Sequence, residues 1–280
     1  GLAFIAVLYG RVFPSPVGPV LSYLTVVIGQ SGLDYAAERR TRRQVTRAFG
    51  QYLSPAMVER LANDPSQLKL GGETRNLSIL FCDVRGFTTI AERMKNDPQQ
   101  LTTLINRLLT PLSDEILACG GTIDKYIGDC VMAFWNAPLD DPQHAAHAVE
   151  AALRMLEAMD RFNAELQTEL AARGEEPYGL RIGVGINTGD CVVGNMGSLS
   201  RFDYSALGDS VNLASRLEGE SKSVAVPLLL GEETARQAPD RFCMIELDRI
   251  QVKGRSVASP VFTALKEAPP AASPTDSGGS

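Results

Sequence analysis

The chain has 280 residues and a formal net charge of -6, with 44% of its residues hydrophobic and 21% charged. Those proportions suit a globular protein with one substantial domain plus accessory segments and argue against wholesale disorder. The acidic balance argues against a nucleic-acid binder, which carries a basic face. The five cysteines, Cys82, Cys119, Cys130, Cys191 and Cys243, stand far apart with no C-x-x-C pair. That spacing fits neither a zinc site nor a disulfide framework and reads as reduced thiols in a cytosolic domain.

The sequence starts at Gly rather than Met, which reads as a fragment of a longer protein. Residues 1–10 are uncharged and largely apolar, Arg11 and a Pro14-Ser15-Pro16 turn follow, and no charge recurs before Asp34. Val17 to about Tyr35 has the length of a spanning helix, about 20 residues. The cluster Glu38-Arg39-Arg40-Thr41-Arg42-Arg43 directly after it marks a cytoplasmic side. Residues 1–35 are therefore expected to be membrane-spanning segments, putting the protein at the cell membrane with everything downstream in the cytoplasm. The alternative is a buried soluble hairpin. Residues 36–73 read as a helical connector in which Val45, Phe49, Leu53 and Val58 recur at roughly helical spacing, suited to packing against a second copy. Pro55 is expected to start a new helix there and Asp64-Pro65 to end it.

From about residue 74 to 266, strands and helices alternate. Leu77–Cys82 is a short apolar run, hence a buried strand. Leu101–Leu117 and Ala145–Leu170 carry the period of amphipathic helices. Thr122–Tyr126 and Cys130–Trp135, separated by Ile127-Gly128-Asp129, predict a β-hairpin. A second hairpin is expected where Leu180–Ile186 and Cys191–Val193 flank Asn187-Thr188-Gly189-Asp190. Asp209–Glu218 reads as a helix, Pro227–Leu230 and Phe242–Val252 as strands. The whole predicts an α+β domain with a mostly antiparallel sheet covered by helices. The Pro/Ala/Ser/Gly-rich tail, 267–280, reads as disordered.

Three segments carry chemistry. In Phe81-Cys82-Asp83-Val84-Arg85-Gly86-Phe87-Thr88, an acid leaves the end of a buried strand, where it is poorly solvated unless a cation meets it. Gly86 and the helix starting near Phe87 offer backbone N–H groups to an anion. A carboxylate beside such a cradle is what a magnesium–triphosphate complex needs, although strand-end aspartates also cap helices. In the second segment, Asp124 to Phe134, Asp129 sits at the hairpin tip. If that hairpin pairs beside the first strand, Asp83 and Asp129 converge and two hard carboxylates could hold two magnesium ions. In the third segment, Phe202 to Arg216, Asn212 and Arg216 are four residues apart on one helix and share a face. An amide and a guanidinium side by side suit a ribose and a phosphate that gains charge. The bland reading is a helix-surface hydrogen bond.

In this order and spacing, the three segments resemble the class III adenylate/guanylate cyclase catalytic domain over about residues 74–265, a ferredoxin-like fold. The resemblance implies metal-binding roles for Asp83 and Asp129 with two Mg2+ (or Mn2+) ions per site, and phosphate contacts from the amides around Phe87 and Thr88. It implies that Lys125 reads the purine ring, Asn212 orients the ribose, Arg216 is the transition-state arginine and Lys253 contacts the terminal phosphates. Where many adenylate cyclases carry an aspartate, seven residues before the asparagine, this chain has Ser205, as in the bicarbonate-responsive subgroup. A hydroxyl either donates or accepts and does not discriminate purines by itself. Lys125 favours ATP, because guanylate cyclases typically carry Glu there. The implied protein is a membrane-anchored adenylate cyclase working as a homodimer. Asp83 and Asp129 of one protomer would face Lys125, Ser205, Asn212, Arg216 and Lys253 of the other. A guanylate cyclase and a non-catalytic nucleotide-sensing dimerisation domain are the alternatives.

Elsewhere, His144 and His147 follow Pro142 at a helix start and read as solvated capping charges. Phe134 and Trp135 read as core, Asp203 and Asp209 as structural.

Overall fold

The computed structural model describes residues 17–18, 20–31, 50, 52–55, 57–59, 72–197, 202–238, 241–250 and 259–266. The chain divides into two compact units, residues 1–48 and 49–280. In the first, residues 17–18 and 20–31 are helical, and the side chains of Leu21, Tyr23 and Ile28 are exposed. Among the described residues no helix is long and apolar enough to cross a membrane, so the expected spanning segments are not seen. Residues 1–16, most of the connector and the tail lie outside the described residues. Pro55 and residues 57–59 are helical as expected. Leu53 and Val58, expected to face a second copy, are instead buried in their own chain. The amide of Ile123 donates to the carbonyl of Tyr52 at 3.0 Å, tying this segment to the domain.

The second unit is built on β1 (Glu73–Arg85), β2 (Thr122–Ile127), β3 (Cys130–Trp135), β4 (Arg181–Gly197), β5 (Phe202–Leu207), β6 (Leu228–Gly231), β7 (Phe242–Ile250) and β8 (Ser259–Lys266). These form one sheet in the order β2-β3-β1-β4-β6-β8-β7, with β5 pairing the end of β4. All of these pairings are antiparallel except β4 with β6. The helices are α1 (Phe87–Arg93), α2 (Pro98–Ala118), α3 (His144–Arg173), α4 (Asp209–Glu220) and α5 (Glu232–Gln237). Because side chains alternate along a strand, Leu80, Cys82 and Val84 of β1 face one side and join Ile182, Val184 and Ile186 of β4 under α2 and α3. The opposite face receives α4, whose Leu213 and Leu217 pack on Leu229 of β6 and Val261 of β8.

β1 extends beyond the predicted Leu77–Cys82 because β4 pairs along its whole length, from Glu73 opposite Val193 to Arg85 opposite Arg181. The hairpin expected at Asn187-Thr188-Gly189-Asp190 is absent, since those residues lie inside the continuous strand β4. Their turn-like chemistry serves packing. Thr188 Oγ1 hydrogen-bonds Ser78 Oγ at 2.7 Å and Thr234 Oγ1 at 2.9 Å. A Cβ on Gly189 would come within 2.3 Å of Ser210 Oγ. The hairpin of β2 and β3 forms as expected. β5, α5 and β8 have no counterpart in the sequence reading.

His144 corrects another expectation. It is buried, with Nδ1 2.8 Å from Ser78 Oγ, and burial pushes its pKa down so that the neutral ring is favoured. His147 keeps a polar partner, Nδ1 lying 2.8 Å from Asp141 Oδ2. Phe134 and Trp135 are fully buried, as expected. All five cysteines are free, Cys82 and Cys191 buried and Cys243 exposed on β7.

Candidate active site

Asp83 lies near the C-terminal end of β1, and β3 runs antiparallel beside it with Cys82 opposite Val131. Continued toward the hairpin tip, that register brings the Gly128-Asp129 turn alongside Asp83 and Val84. The two-residue turn requires positive φ, which Gly128 adopts at 66°. The Val84 backbone lies close enough to both the Asp83 and the Asp129 carboxylates to favour their charged forms. Burial pushes both pKa values up, and the charge of Asp129 adds to the effect on Asp83. Glu218 of α4 stands nearby, pushed up to about 7 by burial and by Asp83. Arg85 is also close, but its Nη2 donates to Ser221 Oγ and to the carbonyl of Val226, both at 2.9 Å.

Half-buried carboxylates that repel one another are a donor set suited to a hard divalent cation. Among the described residues no group of three or more His, Cys, Asp or Glu side chains is arranged to hold a metal. A site of two carboxylates leaves the remaining positions to phosphate oxygens and water. Asp83 and Asp129 fit magnesium or manganese delivered with a nucleotide.

A second group assembles on the other arm of the hairpin. Lys125 of β2 donates from Nζ to Ser205 Oγ of β5 at 3.2 Å, across 80 positions of sequence. Both residues are expected at the purine, and the fold brings them together. A third member was missed. Ser205 Oγ donates to Asp124 Oδ2 at 2.6 Å, and Lys125 Nζ lies 3.2 Å from Asp124 Oδ1. The Asp124 side chain has no exposed surface. Burial pushes its pKa up, while Ser205, Lys125 and the amide of Ala206 act against that. Lys125 Nζ is close enough to Oδ1 to pair electrostatically, yet Oδ1 accepts no aligned hydrogen bond.

Asn212 and Arg216 are both exposed one turn apart on α4, as the sequence predicts, and neither has a hydrogen-bonding partner among the described residues. Their position depends on how closely α4 lies on the sheet. On the face of β4 beneath it, a Cβ on Gly185 would sit 2.2 Å from the amide nitrogen of Glu218 and 2.4 Å from the carbonyl oxygen of Ala214. A Cβ on Gly183 would sit 2.7 Å from Ser221 Oγ. Glycine at alternate positions of the strand therefore forms the seat of the helix.

α1 starts at Phe87 after Gly86 in the left-handed region, φ 77°, and no side chain caps it. Thr88 is exposed in its first turn, and Phe87 packs partly against the core. Lys253 lies outside the described residues. Asp203 Oδ1 accepts from the Tyr52 hydroxyl at 3.3 Å, a structural contact as expected, and Asp209 opens α4. Glu218, like Asp124, escaped the sequence reading, although its spacing of two after Arg216 was visible. A cavity of about 450 Å³ bounded by Cys119, Asp141, His147, Glu150 and Arg154 touches neither group and is not the site.

Residues 72–264 match the family described as the adenylate and guanylate cyclase catalytic domain. An adenylate cyclase of Anabaena cylindrica is 35% identical over 192 residues, 68% of this chain and 36% of that protein. The adenylyl cyclase CyaB from P. aeruginosa superposes with a TM-score of 0.63 at 34% identity, covering 71% of this chain and 98% of that one. The guanylyl cyclase Cya2 superposes with a TM-score of 0.61 at 30% identity, over 72% of this chain and 97% of that one. The chain belongs to the class III adenylate/guanylate cyclase catalytic-domain family. It spans about a third of the length of the curated relatives it matches.

Proposed function

We propose that the chain is the catalytic portion of an adenylate cyclase, converting ATP to 3′,5′-cyclic AMP and pyrophosphate. The observation that carries the choice of purine is the contact between Lys125 and Ser205. A lysine satisfies the acceptor at adenine N1, whereas guanine presents a donor there. The similarity to the adenylate cyclase of Anabaena cylindrica and to CyaB supports the same choice.

Asp83 and Asp129 would hold two Mg2+ or Mn2+ ions, which when bound lower the pKa of the ribose 3′ hydroxyl and neutralise phosphate charge. Asn212 orients the ribose so that its 3′ oxygen faces the α-phosphorus. Arg216 meets the negative charge that grows on the phosphoryl oxygens as pyrophosphate leaves. The amides at Phe87 and Thr88, with Lys253, contact the phosphates.

The active form is a homodimer with composite sites. Within one chain, Asp129 and the Val84 backbone act on Asp83, the backbones of Val84 and Asp129 act on Asp129, and both carboxylates act on Glu218, while Lys125 is occupied by Ser205 and Asp124. This separation supports a site completed by a second copy. Residues 1–35 act as a membrane anchor, a reading supported by the exposed apolar side chains of residues 17–31. The deciding experiment incubates purified protein with ATP or GTP plus magnesium or manganese and identifies the product. Cyclic AMP in large excess is expected; predominant cyclic GMP would make the chain a guanylate cyclase, and no product with either would leave a nucleotide-sensing domain.

A further inference from the structure

Asp124 and Lys125 are consecutive, and consecutive strand residues ordinarily point to opposite faces of a sheet. Here both reach Ser205. The pairing of β2 with β3 shifts register between Ile123 and Lys125, and an irregularity of that kind re-aims a side chain. The result is a fully covered carboxylate, costly to bury without compensation, next to the two residues read as contacting the purine.

The hydrogen-bonding capacity of the cluster can be counted. A serine hydroxyl has one proton and two lone pairs. The Ser205 proton goes to Asp124 Oδ2 at 2.6 Å, and one lone pair accepts from Lys125 Nζ at 3.2 Å. One acceptor site remains. Lys125 has three donors; one is directed to Ser205, and the ammonium lies beside Asp124 Oδ1 at 3.2 Å without an aligned hydrogen bond, so at least one is left. What the cluster still offers a ligand is one acceptor on Ser205 and at least one donor on Lys125. Adenine presents the complementary pair, an amino donor beside the N1 acceptor. Guanine presents the reverse, a carbonyl acceptor beside an N1 donor.

We infer that Asp124 is the positioning residue for purine choice: by taking the only proton of Ser205, it turns an otherwise ambiguous hydroxyl into an obligate acceptor for the adenine amino group. The inference rests on the cyclase reading and deepens it. Asp124 does not touch the nucleotide; it acts through Ser205 and by fixing the Lys125 ammonium.

The test uses the full chain and two readouts. In the first, kcat/KM is measured for ATP and GTP in wild type, Asp124→Asn, and Asp124→Asn combined with Ser205→Asp. The Asn amide can donate to Ser205 and release its proton, so the ATP:GTP ratio should fall about tenfold or more. Ser205→Asp in that background supplies an acceptor without help from position 124 and should restore the ratio. A correctly folded Asp124→Asn enzyme that keeps the ratio within twofold overturns the inference. In the second readout, wild-type protein binds nucleotides in competition with a fluorescent ATP analogue. The competitors are ATP, purine riboside triphosphate and 6-methoxypurine riboside triphosphate. All three keep the N1 acceptor; the second lacks the amino donor and the third replaces it with an acceptor oxygen. Affinity should fall in that order, and a 6-methoxypurine nucleotide that binds as well as ATP shows Ser205 donating, which also overturns the inference. This second readout decides the matter alone if Asp124→Asn fails to fold. Failure of the cyclase reading looks different, because wild type would then form no cyclic nucleotide from any triphosphate while the order of affinities still reports whether Ser205 accepts.

Discussion

Arg216 and Asn212 stand exposed on α4 without partners among the described residues, whereas Lys125 and Ser205 are held by Asp124. A side chain left free in the isolated protomer is available to meet charge that appears only during reaction. Arg216→Ala should therefore lower kcat about 100-fold or more while KM for ATP changes little; steady-state kinetics check this, and an effect confined to KM would mark ordinary ground-state binding. His144 sets a pH dependence of stability instead. Its folded pKa is depressed below the ordinary 6.5 by burial, so below that pH the unfolded chain binds the extra proton. Stability is retained above about pH 6.5 and is lost as the pH falls further. Thermal midpoints at successive pH values should show this decline, and His144→Gln should flatten it. The grouping of side chains was legible in part: Asp83 and Asp129 as two acids that converge, and Lys125 and Ser205 as residues that the resemblance pairs and the fold brings into contact. Asp124 was not, because a strand neighbour of Lys125 belongs on the opposite face until a bulge, invisible in spacing, turns it round.

At the scale of elements, the seat of α4 on β4 is set by glycine, and the clearance is small. Gly185→Ala would drive a Cβ into the backbone of Glu218 and Ala214, so it should destabilise the domain by about 3 kcal/mol and depress activity by displacing Asn212 and Arg216. Gly219, on α4 itself, has open space around its Cβ position. Gly219→Ala should stabilise by about 0.5 kcal/mol through helix propensity. Urea unfolding of the two variants should shift the midpoint in opposite directions. The same strand explains the largest misreading of the fold. Asn187-Thr188-Gly189-Asp190 has the composition of a turn, yet its polar groups are satisfied by Ser78, Thr234 and Ser210 from neighbouring elements. Turn chemistry and close-packing chemistry draw on the same small polar residues. Only the thirteen-residue partner strand β1 decides between them.

For the whole molecule, the hairpin of β2 and β3 carries Lys125 on one arm and Asp129 at its tip. If these serve different sites of a twofold dimer, Asp83→Ala and Arg216→Ala are each nearly inactive alone and complement when mixed. Both defects fall in one site of the heterodimer, and the other is intact. Random pairing makes half the dimers mixed, so activity should recover to roughly one quarter of wild type. A mixture that stays inactive after demonstrated subunit exchange would place a whole site in each protomer. The strands and helices around this site followed from hydrophobic period, but six-residue α5 is too brief for a helical period to show.

The distribution of free thiols makes that exchange observable without engineering. Burial raises the pKa of Cys82, Cys119, Cys130 and Cys191, which keeps little of the reactive thiolate at neutral pH. Cys243 is exposed on β7, at the end of the sheet away from the hairpin. A maleimide dye should therefore couple first at Cys243, with peptide mapping as the check. Donor- and acceptor-labelled pools of the same native chain would then report their reassortment by energy transfer, while the reacting groups remain chemically untouched.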